Sequence, residues 1–507
     1  MSRSPIMRRP FVRLISILSF AVTLPSALLA DEDGRQVRFA AIFQSAPETL
    51  QPLLDSLSAG VPFPELANRH SIGPGADRGG ELDFIAYRNL DSTFRQLADR
   101  LEPGETSGVV PVGNGAAIVT LLEELDSLGY ARFRRDEARW RSGSLLADSL
   151  AGEGMDDAAV AAARANLDSA LVRFGPEHAF TAISRNDLAV LHFRQGRYRD
   201  ADRLFHAALA TLSARFGSRS PELVPVLDHL AQLAAARDSL EGAVAYYNRV
   251  IALIEATGSR DDPVLMDYLV ARGDLLRRLD RYREAEADHR RAYRIARAAL
   301  PPNDPAVAQA AEALARYYDR VLDERSAMTH YRDATAMRRA FYGDRHPAVA
   351  RSLNILGLFY QRQEMYERAE AAFREALDIW RERESDPSAT TATAMNNLAE
   401  VLRERGRFDS AEALYREALA VREALLGPDH ADVAALHNNL ALLYEAQARN
   451  EEAEGEYRAA LVILDGQENP DRELMRIVVV NMMNFYTRMD RQEAVLPLKR
   501  RLETLGE

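Results

Sequence analysis

Asparagine recurs at one position of a repeating pattern in this chain of 507 residues. Three members follow one another at i, i+42 and i+84, and a fourth precedes them by four times 42 positions; they are Asn354, Asn396, Asn438 and Asn186. An asparagine side chain carries both a hydrogen-bond donor and an acceptor, so a row of asparagines can bind the N–H and C=O groups of an extended peptide. We therefore predict a peptide-binding row at this column, where a column means positions related by multiples of 42.

Asp228, Val270 and Glu312 interrupt the column, so the predicted row is most complete in the C-terminal half of the chain. The next residues, Asn397 and Asn439, are predicted to link neighbouring helices instead. One alternative stays open, in which the column consists of solvated polar positions that were duplicated with the repeat.

Histidine is the other residue type with potential chemistry, and its spacing argues against a metal site. Three histidines share one column, which places them in separate repeats; they are His178, His346 and His430. Elsewhere the column holds residue types that cap helices, namely Ser220, Asp262 and Asp304. We interpret the histidines as caps or linker residues. Because the sequence has no zinc, phosphate-loop, calcium-loop or nucleophile-elbow motif, we predict no metal and no cofactor.

A column of alanines indicates the repeated helices that position these side chains. It recurs at every 42nd position, at Ala201, Ala243, Ala285, Ala327, Ala369, Ala411 and Ala453. A fixed period of this length indicates a solenoid of repeats. In the unit from Gly427, apolar residues follow helical spacing twice, which predicts two helices per repeat. The first helix begins at a cap followed by proline, as at Ser220-Pro221, and ends at a turn column that holds Gly196, Asp238, Asp280 and Gly406.

The run Gly427-Pro428-Asp429-His430, followed by residues 437–444 with the sequence HNNLALLY, resembles the kinesin-light-chain subtype of tetratricopeptide arrays. The resemblance implies an α-α superhelical solenoid of about nine units over residues 134–507, with degenerate ends that act as caps. It also implies that the asparagine column faces an inner groove that holds extended peptides. An aromatic column of the second helix is predicted to be core and comprises Phe205, Tyr247, Tyr331, Phe373, Tyr415 and Tyr457.

Residues 37–125 have a different pattern. Strand-like apolar runs occur at 37–43, 109–112 and 116–122, helical runs at 47–58, 64–70 and 91–101, and a glycine-rich turn at 73–80. This order and length suit one small α+β domain. The chain is therefore predicted to be mainly α, with a small α+β domain in front of the solenoid.

Three segments of this front domain, residues 59–67, 79–82 and 101–110, resemble parvulin-type peptidyl-prolyl isomerases in order and spacing. The resemblance implies an apolar pocket for the proline ring at Leu82, Leu90 and Phe94, while Asp99 stands where the family usually has another aromatic residue. Plain core packing of the three apolar side chains stays open as the alternative.

The resemblance also implies a polar catalytic cluster, and its positions fall on Ala41, Gly73 and Ala117. None of the three has a polar side chain. Proline isomerisation must lower an amide rotation barrier of about 18–20 kcal/mol, and polar groups tuned to the twisted amide contribute to doing so. We therefore favour a binding module over an efficient isomerase.

The N-terminus is typical of an export signal. Arginines precede the apolar stretch Leu14–Leu29, which ends in a small residue at Ala30. Residues 1–30 are thus predicted to be a signal peptide and residues 31–36 a linker, which predicts a periplasmic or otherwise exported protein without a membrane span after cleavage. The pair Arg8-Arg9 also resembles a twin-arginine signal. A permanent span is the alternative, and the polar interruptions of the stretch disfavour it.

Without residues 1–30 the chain has 60 basic and 76 acidic side chains, a net charge of −16. Such a charge keeps a protein soluble and repels polyanions, so nucleic acid is not a predicted partner. The chain contains no cysteine, which excludes disulfides, lipid attachment to a thiol and thiol catalysis.

Three functions are compatible with these features. The first is an exported chaperone or assembly scaffold whose degenerate parvulin-like domain and repeat groove hold polypeptide clients. The second is an active peptidyl-prolyl cis-trans isomerase with an unusual site. The third is a plain repeat scaffold for one dedicated complex, in which the front domain is structural. Neither the client nor the oligomeric state is specified by the sequence.

Overall fold

The computed structural model describes residues 35–113, 115–125, 127–383, 388–467 and 471–505. The predicted signal peptide lies outside the described residues, as does most of the predicted linker. The contact pattern divides the chain into two compact units, of which the first runs to Ile295 and the second begins at Ala296. The first unit contains the front domain and most of the first four helix pairs. The second unit contains the remaining helices.

The front domain is built on two long antiparallel strands, β1 (Gln36–Gln44) and β4 (Gly115–Leu125). The short strands β2 (Ile85–Ala86) and β3 (Val110–Val112) complete a four-stranded sheet with the order β2-β1-β4-β3. Side chains alternate between its two faces. One face packs against helix α3 (Ser92–Arg100), and the other packs against α1 (Gln51–Ser58) and α2 (Phe63–His70). The predicted α+β domain is therefore confirmed.

The helix predicted over residues 47–58 is interrupted. Pro47–Thr49 form a 3-10 turn, and α1 begins only at Gln51. Proline has no N–H group and is tolerated in the first turn of a helix, which is where Pro52 lies in α1. A helix that began at Pro47 would place Pro52 in its interior.

The other helices follow one another in nine consecutive pairs within the described residues. Their bounds are α4–α5 at Ser127–Gly152 and Asp156–Phe174, α6–α7 at Ala179–Arg194 and Tyr198–Phe216, α8–α9 at Val224–Ala236 and Leu240–Thr257, α10–α11 at Leu265–Arg278 and Tyr282–Ala299, α12–α13 at Pro305–Arg320 and Glu324–Tyr342, α14–α15 at Pro347–Arg362 and Tyr366–Arg383, α16–α17 at Ala389–Glu404 and Phe408–Leu426, α18–α19 at Ala431–Ala446 and Asn450–Asp465, and α20–α21 at Arg472–Arg488 and Gln492–Leu505. The predicted helix-turn-helix repeat is confirmed. All seven residues of the alanine column are fully buried in the second helices, where a small side chain allows close helix packing.

Caps begin many of the first helices as predicted. The side chain of Asp304 accepts the N–H of Ala306 in the first turn of α12, and that of Ser220 accepts the N–H of Glu222 in a 3-10 turn, Pro221–Leu223, that leads into α8. The histidines at this column also act as caps, because Nδ1 of each accepts a backbone N–H at 3.1 Å; they are His178, His346 and His430. Asp262 accepts the N–H of Val264, and α10, like α8, begins some residues after the cap, at Leu265.

A left-handed residue ends the first helix of every described pair. Nine residues of the turn column have φ between 54° and 78°, and only three of them are glycine; the column comprises Gly154, Gly196, Asp238, Asp280, Leu322, Glu364, Gly406, Ala448 and Asp490. Residues with a Cβ are strained in this region, by roughly 1–2 kcal/mol for most types. The repeat therefore imposes the turn even where the local residue disfavours it.

Two substitutions in this column are expected to change stability in opposite directions. Gly406→Ala places a Cβ in open space, yet it should lower the free energy of unfolding by about 1 kcal/mol because φ is 69° there. Leu322→Asn should raise that free energy by about 0.5 kcal/mol, since Leu322 is 80% exposed and asparagine adopts positive φ more readily. Urea unfolding followed by circular dichroism measures both. Changes of the same sign would show that backbone strain does not decide stability at this turn.

Candidate functional site

Two of the three matched catalytic positions of the front domain lie side by side on the central strands. Ala41 pairs with Val119, and Phe43 pairs with Ala117, so all four share one face of the sheet. Both alanines are fully buried in the hydrophobic core beneath α3. These two positions therefore present methyl groups to packed side chains.

The third position, Gly73, lies directly against Phe43. A Cβ on Gly73 would stand 2.1 Å from Cδ2 and 2.8 Å from Cβ of Phe43, well inside van der Waals contact. Two hydrogen bonds hold this loop to the strand: Ile72 N donates to Phe43 O at 3.0 Å, and Phe43 N donates to Ser71 Oγ at 3.1 Å. The phenyl ring of Phe43 thus occupies the volume that a side chain at residue 73 would take.

The three residues matched to a prolyl pocket all pack in the same core. Leu90 and Phe94 are buried in it, and Leu82 is partly buried at its edge. Phe94 lies 5.3 Å from Phe39 and 6.5 Å from Phe43, measured between ring centroids. This arrangement is what core packing requires. That these residues receive a prolyl side chain stays a prediction.

Asp99, at the position where an aromatic residue was expected from the resemblance, belongs to a polar group at the edge of this domain. Arg35 donates to it at 2.6 Å and the hydroxyl of Tyr87 donates at 2.7 Å. These hydrogen bonds lower the pKa of Asp99 below its ordinary value, Arg35 contributing most. The carboxylate therefore anchors the end of α3 and does not point a catalytic group into the core.

The front domain is held against helix α7 by polar contacts around two glycines. Asn68 donates to the carbonyl of Phe216 and accepts the N–H of Gly79 at 2.7 Å. A Cβ on Gly79 would lie 3.2 Å from Cα of Phe216, and one on Gly217 would lie 2.6 Å from Nδ2 of Asn68. The two backbones approach so closely that only glycine fits at both positions.

A charged pair completes this contact. Arg215 at the end of α7 lies 3.0 Å from Glu81 of the front domain, and both side chains are largely buried. Burial, reinforced by the positive charges of Arg215 and Arg38, lowers the pKa of the neighbouring His178 to about 3. The ring of His178 is therefore neutral at physiological pH, which is the state in which its Nδ1 accepts a hydrogen bond as a cap.

The predicted asparagine row forms side-chain bonds between successive repeats of the second unit. Each bond joins residue i to residue i+43, and we call it the i+43 bond. Its oxygen comes from the asparagine column and its Nδ2 from the next repeat, at 3.0, 2.8 and 3.0 Å for Asn397 to Asn354, Asn439 to Asn396 and Asn481 to Asn438. Asn397 and Asn439, which were predicted to link neighbouring helices, thus donate to the side-chain oxygens of predicted peptide-binding residues.

Residues i and i+43 also bond in the first unit, with different residue types and, for Ser144 and Asp187, with the donor on the earlier residue. Oδ1 of Asn186 lies 2.8 Å from Nδ1 of His229, and Ser144 donates to Asp187 at 3.1 Å. Burial, with a smaller contribution from the negative charge of Asp148, raises the pKa of Asp187 to about 7. The second of these bonds therefore joins a hydroxyl to a carboxyl group that titrates near neutral pH.

Exposure differs along the asparagine column. Asn186 and Asn438 are 6% and 4% exposed, whereas Asn354 and Asn396 are only partly buried. A peptide therefore has better access to Asn354 and Asn396 than to the other two.

Carboxylates on the second helices form a further link between repeats of the second unit. Glu370, Glu412 and Glu454 recur at i, i+42 and i+84. Each binds an arginine 37 residues later at 2.5–2.6 Å; these partners are Arg407, Arg449 and Arg491. Each also binds the arginine four residues later on its own helix. The interface thus carries a repeated ion-pair network in addition to its apolar core.

The part of the chain that the structure describes contains no helix that is both long and apolar enough to cross a membrane. Within the same residues, no three histidine, aspartate or glutamate side chains come together in an arrangement that could hold a metal ion.

Comparison with known families assigns both parts of the chain. A tetratricopeptide-repeat model matches residues 188–256, 264–340, 336–382 and 390–464, which together exceed half of the sequence. The chain belongs to the tetratricopeptide-repeat family. A second model, for the PPIC-type peptidyl-prolyl isomerase (rotamase) domain, matches residues 41–123 in front of the tetratricopeptide repeats. The two resemblances identified in the sequence are confirmed.

The curated relatives match a short part of this tetratricopeptide-repeat protein. Chaperone SurA of Thiobacillus denitrificans is 30% identical over 101 residues, which cover 18% of this chain and 23% of the relative. Foldase protein PrsA of Halalkalibacterium halodurans is 31% identical over 93 residues, which cover 18% of this chain and 28% of the relative. The chain thus spans about a quarter of the length of these relatives.

Among solved structures, the apo form of RapI superposes with a TM-score of 0.51 and 9% sequence identity, covering 72% of this chain and 97% of that one. At this identity the likeness concerns the fold alone.

Two features of this tetratricopeptide-repeat protein were missed by reasoning from sequence. The Glu370 network was detectable, because its glutamates and arginines follow the same period of 42 as the alanines. The packing of Phe43 on Gly73 left no linear signal, since it depends on the strand register and on how a loop distant in sequence folds back.

Proposed function

We propose that this protein is an exported chaperone or assembly scaffold, in which the tetratricopeptide repeats hold polypeptide clients and the front domain does not catalyse efficient proline isomerisation. One observation carries the proposal: a rotamase-type domain with Ala41, Gly73 and Ala117 at its matched catalytic positions precedes an array of tetratricopeptide repeats. The names of the relatives, a chaperone and a foldase, support the same class of function.

The proposed client surface includes the asparagine column of the second unit. Asn354 and Asn396 are partly exposed, and their oxygens are already bonded within the array. Their Nδ2 groups are proposed to donate to carbonyl oxygens of an extended client. Asn186 and Asn438 are proposed to contribute by fixing the spacing of neighbouring helices, because both are buried.

Export is proposed from the arginine-led apolar stretch of residues 1–30. The mature protein recovered from the cell envelope should begin at Asp31 when its N-terminus is sequenced. An intact Met1 in the envelope fraction would instead support the alternative of a retained membrane span.

The central test measures holding and catalysis on the same full-length preparation. We expect the protein to suppress aggregation of a chemically unfolded client at roughly equimolar ratio, as followed by light scattering. Preorganised polar groups that stabilise a transition state typically contribute about 10²–10³-fold each to a rate, so their absence should leave isomerisation of an Xaa-Pro tetrapeptide within about twofold of the uncatalysed rate. Acceleration beyond about tenfold would identify an isomerase with an unusual site.

A variant series tests the asparagine column. Asn354→Ala, Asn396→Ala and Asn438→Ala combined should weaken client binding at least about tenfold, since each net hydrogen bond contributes roughly 1 kcal/mol. Asn303→Ala, in an exposed loop, is the control. Both proteins are assayed well below their melting temperatures, because the triple variant also loses three i+43 bonds. Client binding equal to wild type in the folded triple variant would reject this surface.

A purely structural front domain is the second candidate, favoured by the contact of Asn68, Gly79 and Glu81 with helix α7. Crosslinking in intact cells distinguishes the two functions. A chaperone should yield many client proteins, whereas a dedicated scaffold should yield one partner in stoichiometric amount.

A further inference from the structure

We infer that the parvulin-like site is closed by a side chain of the domain itself, the phenyl ring of Phe43, and that Gly73, Ala41 and Ala117 are small because they accommodate this ring. The inference concerns the front domain and does not depend on client binding by the repeats. The site has thus lost its polar groups and is also filled by a side chain of the same domain.

Phe43 leaves no room for a side chain at residue 73. A Cβ on Gly73 would overlap three atoms of Phe43, including its own Cβ at 2.8 Å, so rotation of the ring alone does not remove the conflict. The hydrogen bonds of Ile72 and Ser71 to the backbone of Phe43 keep the loop at this distance from the strand. Residue 73 and residue 43 cannot both carry a side chain in this arrangement without a shift of the backbone.

Two alanines form the floor of the site beside Phe43. Ala117 is paired directly with Phe43, and Ala41 lies two residues earlier on the same face of β1. Both are 0% exposed within the cluster that also contains Leu90 and Phe94. Adding an imidazole at either position would overpack this core and force its side chains or backbone to shift. Three small residues and one large ring thus form a single packed set.

The ring of Phe43 lies beside the residues matched to the prolyl pocket. Phe43 lies 6.5 Å from Phe94 between centroids, and Leu82 packs against the same cluster. Phe94, Leu82 and Leu90 are the side chains that would contact a prolyl ring. Phe43 itself is only partly buried, so it forms the outer surface of the cluster. An apolar client side chain therefore meets the ring of Phe43 before it meets Leu90 or Phe94.

A double-mutant cycle on the full chain tests the steric conflict between residues 43 and 73. Gly73→Ala alone should shift the urea midpoint of the first unit clearly downward, whereas Gly73→Ala in a Phe43→Gly background, which removes all three overlapping atoms, should cost little beyond Phe43→Gly itself. Contacting residues typically show such non-additivity, and distant ones do not. Additive effects would overturn the inference. If Phe43→Gly does not fold, Phe43→Ala removes the overlaps with Cγ and Cδ2 and should reduce, without abolishing, the loss caused by Gly73→Ala.

Binding of a fluorescent Xaa-Pro tetrapeptide, measured by anisotropy, tests whether the ring closes the site. We expect Phe43→Ala to bind at least about tenfold more tightly than wild type, a difference of about 1.4 kcal/mol. Phe39→Ala is the matched control, because Phe39 also contacts Phe94 but is fully buried and does not lie on Gly73. Equal affinities of wild type and Phe43→Ala, or equal gains in Phe39→Ala and Phe43→Ala, would show that Phe43 does not close the site.

Discussion

Glu370→Ala is expected to lower the free energy of unfolding of the second unit by about 3 kcal/mol, because removing one partner of a buried ion pair leaves the other charge uncompensated. The carboxylate is 4% exposed and lies between Arg374 and Arg407, each at 2.6 Å, with Arg405 also in contact. Such a removal typically costs about 3–5 kcal/mol. The lower end of this range applies, since the arginines retain 30–46% exposure and regain water.

Urea unfolding at neutral pH measures this loss, and Glu417→Ala is the matched control. Glu417 binds Arg381 with two contacts of 2.7 Å, but both side chains are exposed, so its removal should cost less than about 1 kcal/mol. Comparable losses for the two variants would mean that burial does not distinguish the Glu370 network from an ordinary surface ion pair.

Asp187→Asn is expected to stabilise the first unit by about 2 kcal/mol at pH 8 and to leave its stability unchanged near pH 3. Burial, aided by Asp148, raises the pKa of Asp187 from 3.8 to about 7, so the folded protein binds this proton more tightly than the unfolded chain does. A group whose pKa is raised by folding stabilises the folded protein fully at pH values below its unfolded-state pKa. This stabilisation is lost as the pH rises through about 7. A shift of one pKa unit corresponds to about 1.4 kcal/mol of stability. Because the side chain of Asp187 is partly exposed, the expected change in stability is roughly half of what the whole shift would give.

The same substitution also matches the column that holds Asn397, Asn439 and Asn481 in the second unit. The amide that replaces the carboxyl group should keep the bond to Ser144 without a charge. The stability profile of the variant should therefore be flatter than that of wild type between pH 4 and pH 8. Asp168→Asn, an exposed substitution on α5 with the same change in net charge, is the control. A gain at pH 8 shared by both variants would point to the overall negative charge of the protein rather than to Asp187.

Periodicity predicted most of the repeat architecture. Three local patterns predict the same helix pair, namely the alanine column, the proline-flanked caps and the turn column. A fold is predictable from sequence where such local preferences agree with one another. Leu322 and Glu364 show the limit of local preference, since tertiary packing forces both into a left-handed turn that their residue types disfavour. The helix over residues 47–58 was wrong at its start, because Pro47 and Pro52 cannot both occupy the first turn of one helix.

The candidate sites were less predictable than the fold. Motif spacing located Ala41, Gly73 and Ala117, and their lack of polar side chains was evident from sequence. The side chain that fills the space above them was not evident from sequence. Phe43 fits the pattern of an ordinary strand residue, and its contact with Gly73 depends on the strand register and on the fold of the loop. The contact of Asn68 with Phe216 is equally invisible, since it joins two helices that are far apart along the chain.

The i+43 bond has a consequence for how the array changes in length. From Asn354 to Asn481 each acceptor and donor recurs with the period of the repeat, and so do Glu370, Glu412 and Glu454 with their arginines. Excising or duplicating one full period within this span therefore reunites each donor with an equivalent acceptor. A duplication or deletion of one repeat in the gene would therefore preserve these contacts. The same event around Val270 and Glu312 would bring residues of different types together. The second unit is suited to recombination between its own repeats.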